Sequence, residues 1–471
     1  MKKKDKLNNY NKYFFIILIA CFSLFLLVFM ECESDYFWHI KVGEYIFHNG
    51  IIKKDVFSWS TFGKEWISHE WLFEIYIYIL KILFSKFHLI IYGFSCIFLL
   101  LSILFLSNES NYLKNIPFSL LWLSFAIIFS SYMQGRPNLI SFNLLAITML
   151  LLFDNYKNKN SKRIYFLPFI SILWSNVHGG SSNLVYLFCL IFYLCSFFEF
   201  DSAKVISKKI STIQRKRFFI VFFLCIFATN LNIHGYKMLL YPYQNMLDST
   251  MLMSIQEWQP IDLNVISHYP YVLLTSFIFF ILLFSKKKIN FLDLILFLLS
   301  IFLGFKSIRF CSYTYIIMSF IIFNYIEPRK EDKGTRTLLV FCSIVFLAIF
   351  SLNYKKIIHN TNKEILSLEI IDVLKEEKPL RLFNAYNIGG ELIYNNIPVF
   401  IDGRADLYSN DYLNDYLVIQ NTSKNFELLI AKYDFDYYLV YENSNISEYL
   451  KNNNSYNLIF EDTEYLLYKK N

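Results

Sequence analysis

The chain has 471 residues, of which 55% are hydrophobic and 18% charged, against about 25% charged in soluble domains. That balance, with aromatics at 20%, excludes a single water-soluble globule and implies a polytopic membrane protein embedded in a lipid bilayer. The formal charge of +7 does not mark a nucleic-acid binder, because the Lys and Arg lie in short clusters between apolar runs, where the positive-inside rule expects them.

Residues 1–12 are basic and lead into an apolar run at 13–30. Glu31-Cys32-Glu33-Ser34-Asp35 follows, where a cleavable signal peptide would carry small residues, so the run reads as an uncleaved signal anchor with a cytoplasmic amino terminus. Beyond a polar first external loop at 31–69, apolar runs occupy 70–85, 88–106, 116–133, 138–153, 164–177, 183–199, 217–231, 270–284, 290–305, 310–326 and 337–353. The basic loops 157–163, 204–217, 286–288 and 329–336 belong in the cytoplasm. Five spans before residue 157 would put the first of these loops on the wrong side. One segment within 70–153 is therefore miscounted, and the total is odd, 11 or 13. Gly135-Arg136-Pro137 interrupts the stretch 116–153 and points to a re-entrant or half-span pair there.

After residue 352 charged residues return and apolar runs shorten to strand length. The expected organisation is a helical membrane domain, 1–352, and a soluble extracytoplasmic α/β domain, 353–471. The pattern of the second gives helix 363–377, strand 380–383, a short helix after Gly389-Gly390, strand 398–401, helices 410–419 and 423–432, strand 437–441, helix 445–452 and a hairpin over 457–468.

Two acids, Glu33 and Asp35, stand just outside the first helix, and His69-Glu70 opens the next. Carboxylates at a membrane edge can deprotonate an acceptor hydroxyl or hold a divalent cation against a phosphate; they are also what a solvated helix end carries. His39, His69, His178 and His234, half of the eight histidines, fall on one side of the membrane, which favours a site over four unrelated structural roles. Arg136, Lys306 and Arg309 are cations at apolar boundaries: one alone would snorkel, whereas several together suit an anion such as a lipid phosphate. In the soluble domain, Asn387-Ile388-Gly389-Gly390 and Asp402-Gly403-Arg404-Ala405-Asp406 follow expected strands, where open α/β sheets bind ligands. The alternative there is turn chemistry, with Arg404 paired to Asp402 or Asp406.

Taken in order, Asp35-x-x-Trp38-His39, Asp55-x-Phe57-Ser58, His69-Glu70-Trp71-Leu72, Arg136-Pro137, Trp174-x-Asn176-x-His178-Gly179, Glu257-Trp258, Arg309-Phe310, Asn387-x-Gly389-Gly390 and Asp402-Gly403-Arg404 resemble a broad, largely uncharacterised family of prokaryotic membrane proteins. That family is grouped with the C-type glycosyltransferases (GT-C fold), and the C-terminal domain is similar in plan to that of oligosaccharyltransferases. The resemblance implies a polytopic α-helical GT-C-like membrane domain and an inverting transfer of sugar from a polyprenyl-phosphate donor to a glycan, lipid or protein acceptor of the cell envelope. It gives Asp35 the role of base or, with Glu33, of ligand to a divalent cation (Mg or Mn), and sets His69 and Glu70 beside it. Arg136, Lys306, Arg309 and His178 would then hold the donor phosphate, and Asn387, Gly389, Gly390, Asp402, Arg404 and Asp406 would face the acceptor. His69-Glu70-Trp71-Leu72 stands where many members carry His-Pro-Pro, and no Trp-Trp-Asp-Tyr-Gly motif exists, so the resemblance does not extend to protein N-glycosylation. The rival expectation is a non-catalytic envelope or transport component that binds or moves lipid-linked glycan. A transport path would carry mid-membrane charges, which most of the apolar runs lack.

Overall fold

A computed structural model of the chain describes residues 2–107, 128–247, 256–322, 324–325, 333–408 and 410–471. Helix α1 (Lys2–Leu26) carries the first apolar run, and the first loop opens with a helix that its polar composition did not suggest, α2 (Ser34–Asn49). Next come α3 (Trp71–Phe84), α4 (His88–Ser107), α5 (Asn138–Lys157), α6 (Leu167–Val177), α7 (Leu184–Cys195), α8 (Thr212–Thr229) and α9 (Tyr236–Leu247). The helical part closes with α10 (Tyr269–Phe284), α11 (Phe291–Lys306), α12 (Cys311–Ile322) and α13 (Lys333–Asn360). Local chemistry fixes several starts: Ser211 and Gln214 form a reciprocal capping box on α8, and the Asn290 side chain accepts from Leu292 N at the head of α11.

Among the described residues, four helical runs are long and apolar enough to cross a membrane: Trp71–Ser107, Asn138–Lys157, Ile266–Phe284 and Thr337–Asn360. Phe279, Phe280, Phe284, Phe341 and Ile344 stand exposed on the last two, an apolar surface that water would penalise. The first of these runs breaks at Ser85, which takes a φ of 46°. Its leading half, α3, begins beside Glu70, and near its other end Lys81 Nζ donates to the Tyr394 hydroxyl of the C-terminal domain at 2.6 Å. Helix α3 is thus tied near its far end to the C-terminal domain. The 116–133 run lies, up to residue 127, outside the described residues.

Three of the basic loops, 157–163, 204–217 and 286–288, gather at the opposite end, and 329–332 lie outside the described residues. Arg217 donates to the carbonyls of Lys159 and Ser161, at 2.8 and 2.5 Å, and Lys287 to that of Asn324, at 2.8 Å. Strands β1 (Phe200–Asp201), β2 (Val205–Ser207) and β3 (Ile289–Asn290) tie two of these loops into a small sheet.

Helix α13 runs through the expected boundary at 353 to Asn360, and the C-terminal unit follows it. It holds α14 (Leu368–Glu377), β4 (Leu382–Asn384), α15 (Gly389–Tyr394), α16 (Asn410–Gln420), α17 (Phe426–Tyr433), β5 (Tyr437–Tyr441), α18 (Asn445–Lys451), β6 (Tyr456–Glu461) and β7 (Tyr465–Lys470). The sheet order is β4-β5-β7-β6, with β4 and β5 parallel and the hairpin at the edge antiparallel, as the sequence pattern implies. The expected strand at 398–401 is not a strand. Pro398 has no N–H to give a ladder, and the residues after it pair instead with the first loop and a side chain. Trp59 N donates to Val399 O at 3.0 Å, while the Asn384 amide accepts from Phe400 N and donates to Ile401 O, both at 2.8 Å. The first loop thus belongs to this unit: Trp38, Val42, Ile46, Ile52 and Trp66 are buried in the same apolar core as β4, β5 and β7.

Candidate functional site

Glycines let the two units meet at the amino end of α2. A Cβ at Gly390 would collide with the Ser34 carbonyl, and one at Gly403 with the Asp35 carboxylate, so the C-terminal domain sits directly on the first turn of α2. Between them lies a cavity of about 870 Å³. Of the residues singled out in the sequence, Glu33, Asp35, His69, Glu70, Arg136, His178 and Arg309 line it from the helical side. Asn387, Arg404 and Asp406 line it from the other. Lys306 is exposed and stands away from it, and Gly389, Gly390 and Asp402 do not line it.

Two charge clusters face this cavity. In one, the Arg136 guanidinium meets three carboxylates: Asp35 Oδ2 and Glu257 Oε1, each at 2.8 Å, and Glu33 Oε1. Glu257 reaches on to Arg309 at 3.9 Å, whose guanidinium lies 4.9 Å over the Trp258 ring. Burial alone would raise the Glu257 carboxyl, but Arg136 and Arg309 hold it below the usual range. Burial raises the Asp35 carboxyl to about 7 against the pull of His39 and the Trp38 indole. Its ion pair with Arg136 favours the ionised form, the form that can take a proton.

In the other cluster, Glu70 is a hub for three imidazoles: His69 at 3.3 Å, His178 at 3.5 Å and His39 at 3.6 Å. Burial would raise the Glu70 carboxyl, yet these rings, His69 foremost, hold it well below the carboxylate range. Burial likewise opposes protonation of His69, but Glu70, Asp406 and Glu74 outweigh it and lift the ring to about 9. His178 goes the other way: burial pushes it down to about 3, Glu70 opposing and Arg309 reinforcing. Its Nδ1 lies 2.7 Å from Ser141 Oγ, which anchors the ring to α5.

Arg404 and Asp402 have a different place from the acceptor-facing one implied above. The guanidinium is 0% exposed, donating to Asp402 at 2.7 and 2.8 Å, to Asp55 at 2.8 Å and to Ser58 at 2.8 Å. Although Arg404 borders the cavity, its guanidinium has no exposed surface to offer an acceptor, and it locks the first loop to the C-terminal domain. The sequence reading missed Asp55 and Ser58 as its partners and left Glu257 out of the site, although all three lie in the motifs that carried the resemblance.

A divalent cation was implied for Glu33 and Asp35. Their oxygens, with those of Glu257, are a suitable hard donor set. The point on which they converge is filled by the Arg136 guanidinium, so the residues as arranged do not fit the ion. Among the described residues, no group of His, Cys, Asp and Glu is placed to hold a metal.

No protein-family model matches the chain, and no curated protein matches it in sequence. Solved structures do. The chain is similar to the Archaeoglobus fulgidus oligosaccharyltransferase tethered with an acceptor peptide containing the NVT sequon (TM-score 0.52, 10% identity, 91% of this chain and 69% of that one). It is also similar to that enzyme in the apo form (0.50, 10%, 90% and 69%). A third match is archaeal oligosaccharyltransferase AglB from the same organism, in complex with an inhibitory peptide and a dolichol-phosphate (0.53, 10%, 92% and 70%). At that identity the likeness shows the fold, and over nine-tenths of its length this chain has the fold of an oligosaccharyltransferase.

Proposed function

We propose that the chain is a membrane glycosyltransferase that moves a sugar from a polyprenyl-phosphate carrier to an envelope acceptor on the outer face. What carries this reading is the convergence of Asp35, Glu70, Arg136 and Arg309 on one cavity roofed by the C-terminal domain. In this scheme the acceptor hydroxyl gives its proton to Asp35 as its oxygen bonds to the sugar's anomeric carbon. The bond from that carbon to the phosphate oxygen breaks, and the polyprenyl phosphate departs with its charge beside Arg309 and Arg136. General-base help of this kind is worth about 10²- to 10⁴-fold, and fixed cations at the departing oxyanion add to it. The neighbours' bound dolichol-phosphate and peptides support a lipid-phosphate carrier and an acceptor in this general sense. Acceptor identity is left to Asn387 and Asp406, the remaining groups on the roof.

Binding tests the donor half. Polyprenyl phosphate titrated into the purified protein in nanodiscs should quench tryptophan fluorescence, because Trp258 stacks on Arg309. Arg309→Ala should weaken that binding by about tenfold or more, and unchanged binding would remove Arg309 from the donor site. For topology, the reading puts the amino terminus in the cytoplasm and leaves α3 outside the bilayer. Reporters fused after Lys86 and after Lys355 should both read extracytoplasmic. A cytoplasmic signal from the first would restore α3 as a span.

A further inference from the structure

Three carboxylates aimed at one point call for a cation, and this chain supplies one covalently. Arg136 Nη2 meets Asp35 and Nη1 meets Glu257, each at 2.8 Å, while Nε meets Glu33. The guanidinium is spread over three acids from two parts of the chain, as a metal ion would be. A bound Mg or Mn ion would have to lie about 2.0–2.2 Å from the same oxygens, where it would overlap the guanidinium nitrogens and face their charge. The arginine is also held from behind. Residues 133–134 are stitched to the chain just before Glu33, through Glu31 N donating to Met133 O at 3.1 Å and the bridge between Glu31 and Gln134. The Arg136 carbonyl accepts from the buried Tyr92 hydroxyl, and Gly135 packs on the Tyr36 ring. Arg136 and its first two acids are thus joined through the backbone, which fixes the guanidinium among the carboxylates.

We propose that Arg136 is the built-in cation of this site, standing where Glu33, Asp35 and Glu257 would otherwise hold a divalent metal, so that the cavity takes a phosphate-bearing lipid without one. The first half of the proposal concerns this chain's own residues; the second rests on the donor reading above. Glu257 links the two, since it also reaches Arg309 and can be shared between the arginines or released when a phosphate enters.

Manganese titration followed by electron paramagnetic resonance tests the first half on the full chain in nanodiscs. The free Mn²⁺ signal should be undiminished by the wild type. Arg136→Gln should remove one equivalent of Mn²⁺ from solution, and adding Glu33→Gln or Asp35→Asn to that variant should weaken the uptake about tenfold or more. Stoichiometric uptake by the wild type that Asp35→Asn abolishes would overturn the proposal, and so would a folded Arg136→Gln protein that binds no manganese. Should Arg136→Gln not fold, the wild-type and Asp35→Asn titrations still decide. For the second half, polyprenyl phosphate should bind equally well in EDTA and in Mn²⁺, with inorganic phosphate as the control for the headgroup alone. A tenfold loss in EDTA would overturn that half. Absence of lipid binding in both buffers would overturn the donor reading and leave the manganese result to stand by itself.

Discussion

Asp35→Asn should abolish sugar transfer while leaving the protein folded and inserted. The amide keeps the size and can stay close to Arg136, but it cannot accept the acceptor's proton, so a loss of about 10²- to 10⁴-fold is expected if Asp35 is the base. The wild-type rate should also climb as pH rises through the range where the buried carboxyl ionises, near 7, and the variant's residual rate should lack that climb. The sign follows from burial: a raised carboxyl is protonated and inactive below its pKa, ionised and active above it. Transfer measured with a radiolabelled polyprenyl-phosphate sugar across pH 5–9 checks both points. Undiminished transfer by the variant would take Asp35 out of the mechanism.

Arg404→Ala should cost stability rather than acceptor affinity. Removing the guanidinium leaves Asp402 and Asp55 as two unpaired carboxylates with 0% side-chain exposure, and breaking a buried ion pair costs about 3–5 kcal/mol. The change also removes the cation held 4.8 Å from the Trp66 ring. The measurement is the apparent melting temperature of the full chain in nanodiscs. Arg404→Lys should recover only part of the loss, since an ammonium cannot reproduce the fork that meets both oxygens of Asp402 at once. An unchanged melting temperature with reduced transfer would return Arg404 to direct contact with the acceptor.

The two expectations fall on residues that the sequence treats alike, a charged group in a motif, and the structure treats differently. Asp35 keeps 19% of its side chain exposed at the cavity, whereas Arg404 is closed in. Exposure of a polar side chain depends on what packs over it from elsewhere in the chain, and no local pattern encodes that. The same holds for 398–401. Its apolar residues read as a strand, but which backbone they pair with was fixed by the first loop, more than three hundred residues earlier.

By itself the sequence determined what rests on local chemistry. Apolar runs bounded by basic loops give the helices and the end at which those loops gather; period and turn residues give β4, β5 and the closing hairpin. The acids after α1 and the His-Glu pair before α3 are legible because charged groups beside apolar segments stand out. Only the tertiary structure decided that α3 meets the C-terminal domain through Lys81 and Tyr394, that α2 shares a core with the C-terminal sheet, and that Glu70 gathers three histidines while Arg136 gathers three acids. The partners of Arg136 are 101 to 121 positions away and those of Glu70 as many as 108, so their meeting is a property of chain topology. Side-chain charge is written residue by residue, but the choice of counter-ion is made by whichever elements the packing of two apolar cores brings face to face.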